Sequence, residues 1–163
     1  MDRLWSPWRY KYISAAGGGD KPDDACVFCP IAADPASDGQ NFVLHRARHN
    51  FVILNLYPYT SGHLMIVPYE HAADLDAVAK DATDELMDLA KRAQTALREA
   101  YRPEGFNLGM NLGRAAGAGV AGHVHLHVLP RWAGDSNYMT TVGETRVLPE
   151  DLQMTYERLR EKF

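Results

Sequence analysis

His123-Val124-His125-Leu126-His127-Val128-Leu129 is the stretch from which the rest of the chain is read. Its polar and apolar residues alternate with a period of two. An extended strand sends successive side chains to opposite faces, so the three imidazoles share one face and Val124, Leu126 and Val128 the other. On a helix the same spacing would scatter the histidines around the axis. One histidine on such a face is most simply a packed or solvated side chain. Three in register carry a desolvation cost that needs polar company, and three of the chain's seven histidines fall within these few residues. A shared metal ion is a second reading, since alternate strand residues are about 6.6–6.8 Å apart. His123 and His127 are about 13 Å apart on that rise, so the spacing favours different tasks along the strand over one three-histidine ion.

Working outward, the spacing predicts a strand over 123–129 closed by Pro130 and preceded by a Gly/Ala loop over 113–122. Residues 106–111 alternate as a half-buried strand does. Leu86, Leu89, Ala90, Ala93, Leu97 and Tyr101 recur at three- and four-residue steps and predict a helix over 81–101, capped by Asp81 or Thr83. Pro103 lies just past its end. Asp81, Asp84, Glu85 and Asp88 read as a face of that helix rather than a catalytic pair. Short apolar runs at 42–44, 51–56 and 63–67 predict three strands, the last two joined by a turn over 57–62. Residues 152–159 form a short terminal helix on this reading. His45 and His49, beside Arg46 and Arg48, read as a solvated basic turn. The order β-β-β-α-β-β with short links predicts an α+β fold with an antiparallel sheet.

The 163 residues suit one domain with a substantial core. A net charge of −4 argues against a nucleic-acid partner and requires local donors for any bound phosphate. No apolar run reaches the roughly 20 residues of a membrane span, and the N-terminal segment lacks the apolar stretch of a signal peptide. A cytoplasmic protein without membrane partners is expected. Residues 1–25 read as an aromatic arm (Trp5, Trp8, Tyr10, Tyr12) followed by a Gly-rich flexible loop. Cys26-Val27-Phe28-Cys29 has the spacing of half a tetrahedral zinc site. Two inert buried cysteines are the plain alternative. A redox disulfide would prefer the start of a helix, which the flanking residues do not clearly offer.

His-φ-His-φ-His-φ-φ, with φ apolar, resembles the signature of the histidine-triad (HIT) proteins. Asn55 before a loop ending in Gly62-His63, then an apolar strand and Pro68, and Asn111 ahead of the Gly-rich loop, follow in the family's order. The resemblance covers roughly residues 26–132, with 133–163 a C-terminal extension packing on the domain. The chain ends, Leu4-Trp5-Ser6-Pro7-Trp8-Arg9 and Arg131-Trp132-Ala133-Gly134-Asp135-Ser136-Asn137, are similar to the longer branch that includes diadenosine tetraphosphate phosphorylases.

The resemblance implies a HIT-like fold: an antiparallel sheet of about five strands, one long helix and a short C-terminal helix. It implies a nucleotidyltransferase or hydrolase of dinucleoside polyphosphates, with His125 as the nucleophile. Water or inorganic phosphate would be the acceptor. Nucleoside phosphoramidates and adenylyl sulfates are alternative substrates, and a nucleotide sensor without turnover is an alternative function. His63 and His127 would contact phosphate, with backbone donors around Gly119 and Val120. Asn55 and Asn111 would sit near the ribose, and Phe28, Ile31 and Leu54 are candidates for the base pocket. Family members carry glutamine or serine four residues before the triad, where this chain has Gly119. That departure leaves room for phosphate as acceptor. Bacterial members pair such cysteines with two histidines, which implies a structural Zn²⁺ on Cys26, Cys29, His71 and His123 and no organic cofactor. The family also implies a homodimer, with the long helix, a strand edge, Leu86, Leu89 and the N-terminal tryptophans as interface candidates.

Overall fold

A computed structural model describes residues 26–145 and 148–163; the expected aromatic arm at 1–25 lies outside the described residues. The elements in chain order are α1 (Phe28–Ala33), β1 (Val43–Arg46), β2 (Asn50–Leu54), β3 (Leu64–Pro68), α2 (Lys80–Tyr101), β4 (Gly105–Gly109), β5 (Leu126–Arg131), α3 (Tyr138–Thr141) and α4 (Leu152–Arg160). The five strands form one antiparallel sheet in the order β1-β2-β3-β5-β4. The expected α+β architecture is observed.

Strand periodicity divides the core in two. Val52 and Leu54 on β2, Leu64 and Ile66 on β3, and Leu126 and Val128 on β5 face α2, where Leu86, Leu89, Ala90, Ala93 and Leu97 meet them. Leu159 of α4 closes the same cluster and is fully buried. The alternate residues Phe51, Ile53, Met65 and Val67 point to the opposite face, where they pack with Phe28 and Val43. His127 stands opposite Met65 in the β3–β5 register, so the histidines belong to this second face.

The β2–β3 turn is held tightly. Asn55 N–H donates to the His63 carbonyl, and His63 N–H donates to that of Thr60. Gly62 adopts φ +74°, and a Cβ there would stand 2.9 Å from the Leu97 Cδ2 of α2. Only glycine takes that backbone shape at so close an approach without strain.

Several expectations are corrected. The histidine strand begins at Leu126, because the backbone before it is engaged elsewhere: Val124 N–H donates to the Ala72 carbonyl at 2.7 Å. The strand runs through Pro130 to Arg131. Helix α2 starts after Ala79, with no side-chain cap from Asp81 or Thr83. Glu85 is no mere helix-face residue. Its carboxylate accepts from Arg48 N–H, His49 N–H and Asn50 Nδ2 and so ties the β1–β2 hairpin to α2. Arg46 is no solvated turn residue either. It pairs with Asp38 at 2.7 Å and donates to the Ile31 and Ala32 carbonyls at the C-terminus of α1, where a cation satisfies orphan acceptors. Leu86 and Leu89 are buried against the chain's own sheet and offer nothing to a second subunit. No helix among the described residues is long and apolar enough to cross a membrane.

Candidate active site

The pleat and the β2–β3 turn bring His63, His125 and His127 together. The His125 and His127 ring centroids are 4.8 Å apart, and those of His63 and His127 are 5.0 Å apart. His125 Nδ1 lies 2.8 Å from the His123 carbonyl oxygen. A carbonyl only accepts, so Nδ1 carries the proton and Nε2 keeps its lone pair. Burial lowers the affinity of His125 for a second proton, with the His123 carbonyl opposing in part. Its neutral form is therefore favoured.

A similar deduction orients His127. Tyr59 N–H donates to His63 Nδ1 at 3.1 Å, which leaves the ring proton of neutral His63 on Nε2. That Nε2 donates to His127 Nδ1 at 2.9 Å. His127 in turn holds its own proton on Nε2, the donor end that the chain of bonds leaves over. Burial and the neighbouring His125 hold His127 down to about 4, so it too is neutral near physiological pH. Tyr59 also lays its ring against both imidazoles, at 4.7 Å from His63 and 5.9 Å from His127. The sequence offers Tyr59, like Tyr57 and Tyr138, only as an interface or pocket residue, because a main-chain N–H supplies the key contact.

The other expected residues divide. His63 is 1% exposed and presents no surface to a phosphate, so its influence passes through His127. Asn55 places its Nδ2 3.4 Å from His63 Nδ1, and its Oδ1 accepts from Tyr57 N–H at 2.9 Å. Asn111 is half-buried just beyond β4. Gly119 is exposed, and Val120 packs against the histidine-side cluster, which sets the Gly-rich loop on that face. Phe28 is buried, with its ring 5.2 Å from His125 and 5.4 Å from His123, so it supports the imidazoles. Ile31 is half-buried beside it. Leu54 is 1% exposed and turned by strand parity to the α2 face, where it borders a cavity of about 360 Å³ with Gly62 and His63.

A second cluster adjoins the first. One ligand atom from each of Cys26, Cys29, His71 and His123 lies within 4.8 Å of the others. Cys26 Sγ is 3.2 Å from His123 Nδ1, and Cys29 Sγ is 3.2 Å from His71 Nδ1. His123 Nε2 donates to the Pro68 carbonyl at 2.9 Å, which leaves Nδ1 as a lone pair aimed at the thiols. Two sulfurs and two imidazole nitrogens at this spacing make a donor set that could hold a metal ion. Helix α1 does begin beside the cysteines, contrary to the expectation from their flanking residues, and Pro30 stands in its first turn, where no N–H is needed.

The HIT domain family model matches residues 37–134. The AP-4-A phosphorylase of Mycobacterium tuberculosis (strain CDC 1551 / Oshkosh) is 39% identical over 157 residues, covering 95% of this chain and 80% of that protein. An adenosine 5'-monophosphoramidase from Saccharomyces cerevisiae is 31% identical over 109 residues, covering 67% of this chain and 64% of that protein. Among solved structures, a zinc-bound histidine triad family protein from Mycobacterium smegmatis superposes with a TM-score of 0.67 at 28% identity, covering 86% of this chain and 94% of that one.

Proposed function

The chain belongs to the HIT domain family, and from that premise we propose that it cleaves a phosphoanhydride of dinucleoside polyphosphates through a nucleotidyl intermediate on His125. The observation that carries the reading is the His125 tautomer: Nδ1–H is held by a carbonyl and Nε2 is left as a lone pair. Nε2 attacks the α-phosphorus, a P–N bond forms, and the P–O bond to the distal nucleotide breaks. The imidazole becomes cationic, and its Nδ1–H bond to the His123 carbonyl becomes charge-assisted. His127 Nε2–H donates to the phosphate oxygens as charge builds, and the distal nucleotide leaves as an anion. The acceptor oxygen then attacks phosphorus and restores neutral His125. Asn55 and Asn111 hold the ribose, Ile31 borders the base, and main-chain donors near Gly119 and Val120 meet the phosphate.

The relative named AP-4-A phosphorylase and the bare backbone at Gly119 support inorganic phosphate as the acceptor. The test is wild-type and His125→Ala protein with diadenosine tetraphosphate, with and without phosphate, resolving AMP, ADP and ATP. ADP plus ATP only with phosphate and only with His125 is the expected result. AMP plus ATP regardless of phosphate makes it a hydrolase. No product would overturn the reading and favour nucleoside phosphoramidates, to which the likeness to a monophosphoramidase points.

The Cys26, Cys29, His71 and His123 set fits Zn²⁺ as a structural ion, in keeping with the zinc-bound neighbour. Bound there, the ion would supply a crosslink between the N-terminal side of α1 and the residues preceding β5. For assembly, the reading is a homodimer through β4, which lies at the sheet edge and leaves Leu108 39% exposed. The active site is read as lying in the cytoplasm.

A further inference from the structure

One cavity among the described residues lies apart from His125. It is a cleft of about 570 Å³ between the β2–β3 turn and the C-terminal segment, walled by Tyr59, Tyr101, Trp132, Asn137, Met154 and Arg158 among others. That volume falls within the roughly 300–1,000 Å³ of small-molecule sites. Tyr59 is the wall it shares with the histidine site, because the same ring stands 5.9 Å from His127. The sequence of groups is therefore His125, His127, Tyr59, cleft.

The cleft has rings and fixed polar atoms. Tyr101 and Trp132 meet edge to face at 6.4 Å, and the Arg158 guanidinium lies 5.0 Å from the Tyr101 ring centroid. Glu150, itself in the cleft wall, pairs with Arg158 at 3.3 Å and accepts from the Tyr101 hydroxyl, so the ring and the guanidinium are held in place. Asn137 Oδ1 accepts from Met139 N–H at 3.0 Å, which turns its amide nitrogen to other partners. Aromatic faces with a guanidinium and an amide recognise a flat heteroaromatic group by stacking and hydrogen bonding.

We infer that this cleft is a second nucleoside site, which receives the distal, departing end of a dinucleoside polyphosphate. The proposal rests on the function proposed above. In-line displacement places the departing group across phosphorus from His125 Nε2, and His127 is the donor that meets it. Tyr59, whose ring meets His63 and His127 and also lines the cleft, joins the two sites.

The test is equilibrium binding to full-length His125→Ala protein, which prevents turnover. Two ligands are compared by calorimetry: diadenosine tetraphosphate, and adenosine 5'-tetraphosphate, which has the same phosphate chain without the second nucleoside. The dinucleotide should bind at least tenfold tighter. Trp132→Ala should remove that advantage and leave the affinity for adenosine tetraphosphate unchanged. Met154→Trp, at a side chain that is 50% exposed and so easily replaced, should do the same by filling the cleft, which covers the case of a misfolded Trp132→Ala. Equal binding of the two ligands, or an advantage that survives both variants, overturns the proposal. A folded wild-type protein that cleaves no dinucleotide, while the Trp132-dependent preference persists, refutes the proposed reaction and upholds the cleft.

Discussion

Gly119 is the residue on which the proposed choice of acceptor turns. A Cβ built there meets nothing within 4 Å, and its backbone is outside the glycine-only region. Gly119→Gln should therefore fold with an unchanged melting temperature. On the reaction proposed above, the added amide would order a water molecule beside the nucleotidyl-histidine, and the AMP fraction of the products should rise at the expense of phosphorolysis. Unaltered product ratios would show that position 119 does not select the acceptor. His127 makes a prediction of a different kind. Burial holds it at about 4, below the ordinary 6.5. The unfolded chain takes up its proton as pH falls through 6.5, whereas the folded chain resists until about 4. The stability linked to this group is complete above about pH 6.5 and lost progressively towards 4. Thermal melts across that window should therefore fall less steeply for His127→Asn than for wild type. Equal slopes would mean that the folded protein accepts the proton at no cost.

The elements differ in how openly the sequence announces them. Helix α2 and strands β2 and β3 are legible because each buries one face against a matching partner, and residue spacing records that. The histidine run is legible as a constellation, yet its strand starts three residues late, because Val124 and His123 use their polar groups on Ala72 and Pro68. Helix α1 is hidden, since six residues carry no periodicity and its end is capped by Arg46 from another element. Tyr59 is hidden for a similar reason: its contact to His63 comes from the main chain. Two predictions belong to elements. Gly62→Ala should cost about 1–3 kcal/mol through a strained backbone and a 2.9 Å approach to Leu97, read as a lower midpoint in denaturant. A stability equal to wild type would show that the turn can rearrange. Stripping metal with a chelator should lower the melting temperature by on the order of 10 °C, the shift that about 3 kcal/mol gives at this size. Protein that carries no zinc as purified, and melts identically with chelator, would remove the ion from the account.

At the scale of the whole molecule, the sheet ends at β4 among the described residues, and a sheet edge invites pairing. Light scattering should give about twice the 18.2 kDa chain mass. Leu108→Lys should shift it towards one chain, because the residue is 39% exposed at that edge. A monomeric wild type would end the dimer reading. The sheet also acts as a partition. Nearly all the apolar mass of the larger core lies with α2 and α4 on one side, and His125, His127 and the Cys/His cluster lie on the other. A lineage can thus exchange leucines behind the sheet to suit a warmer or colder habitat while the histidines in front keep their places. It can likewise alter the residues around the histidines in front without disturbing the leucines behind. Gly62 is where the two histories are tied together, because the same turn leans on Leu97 behind and delivers His63 in front.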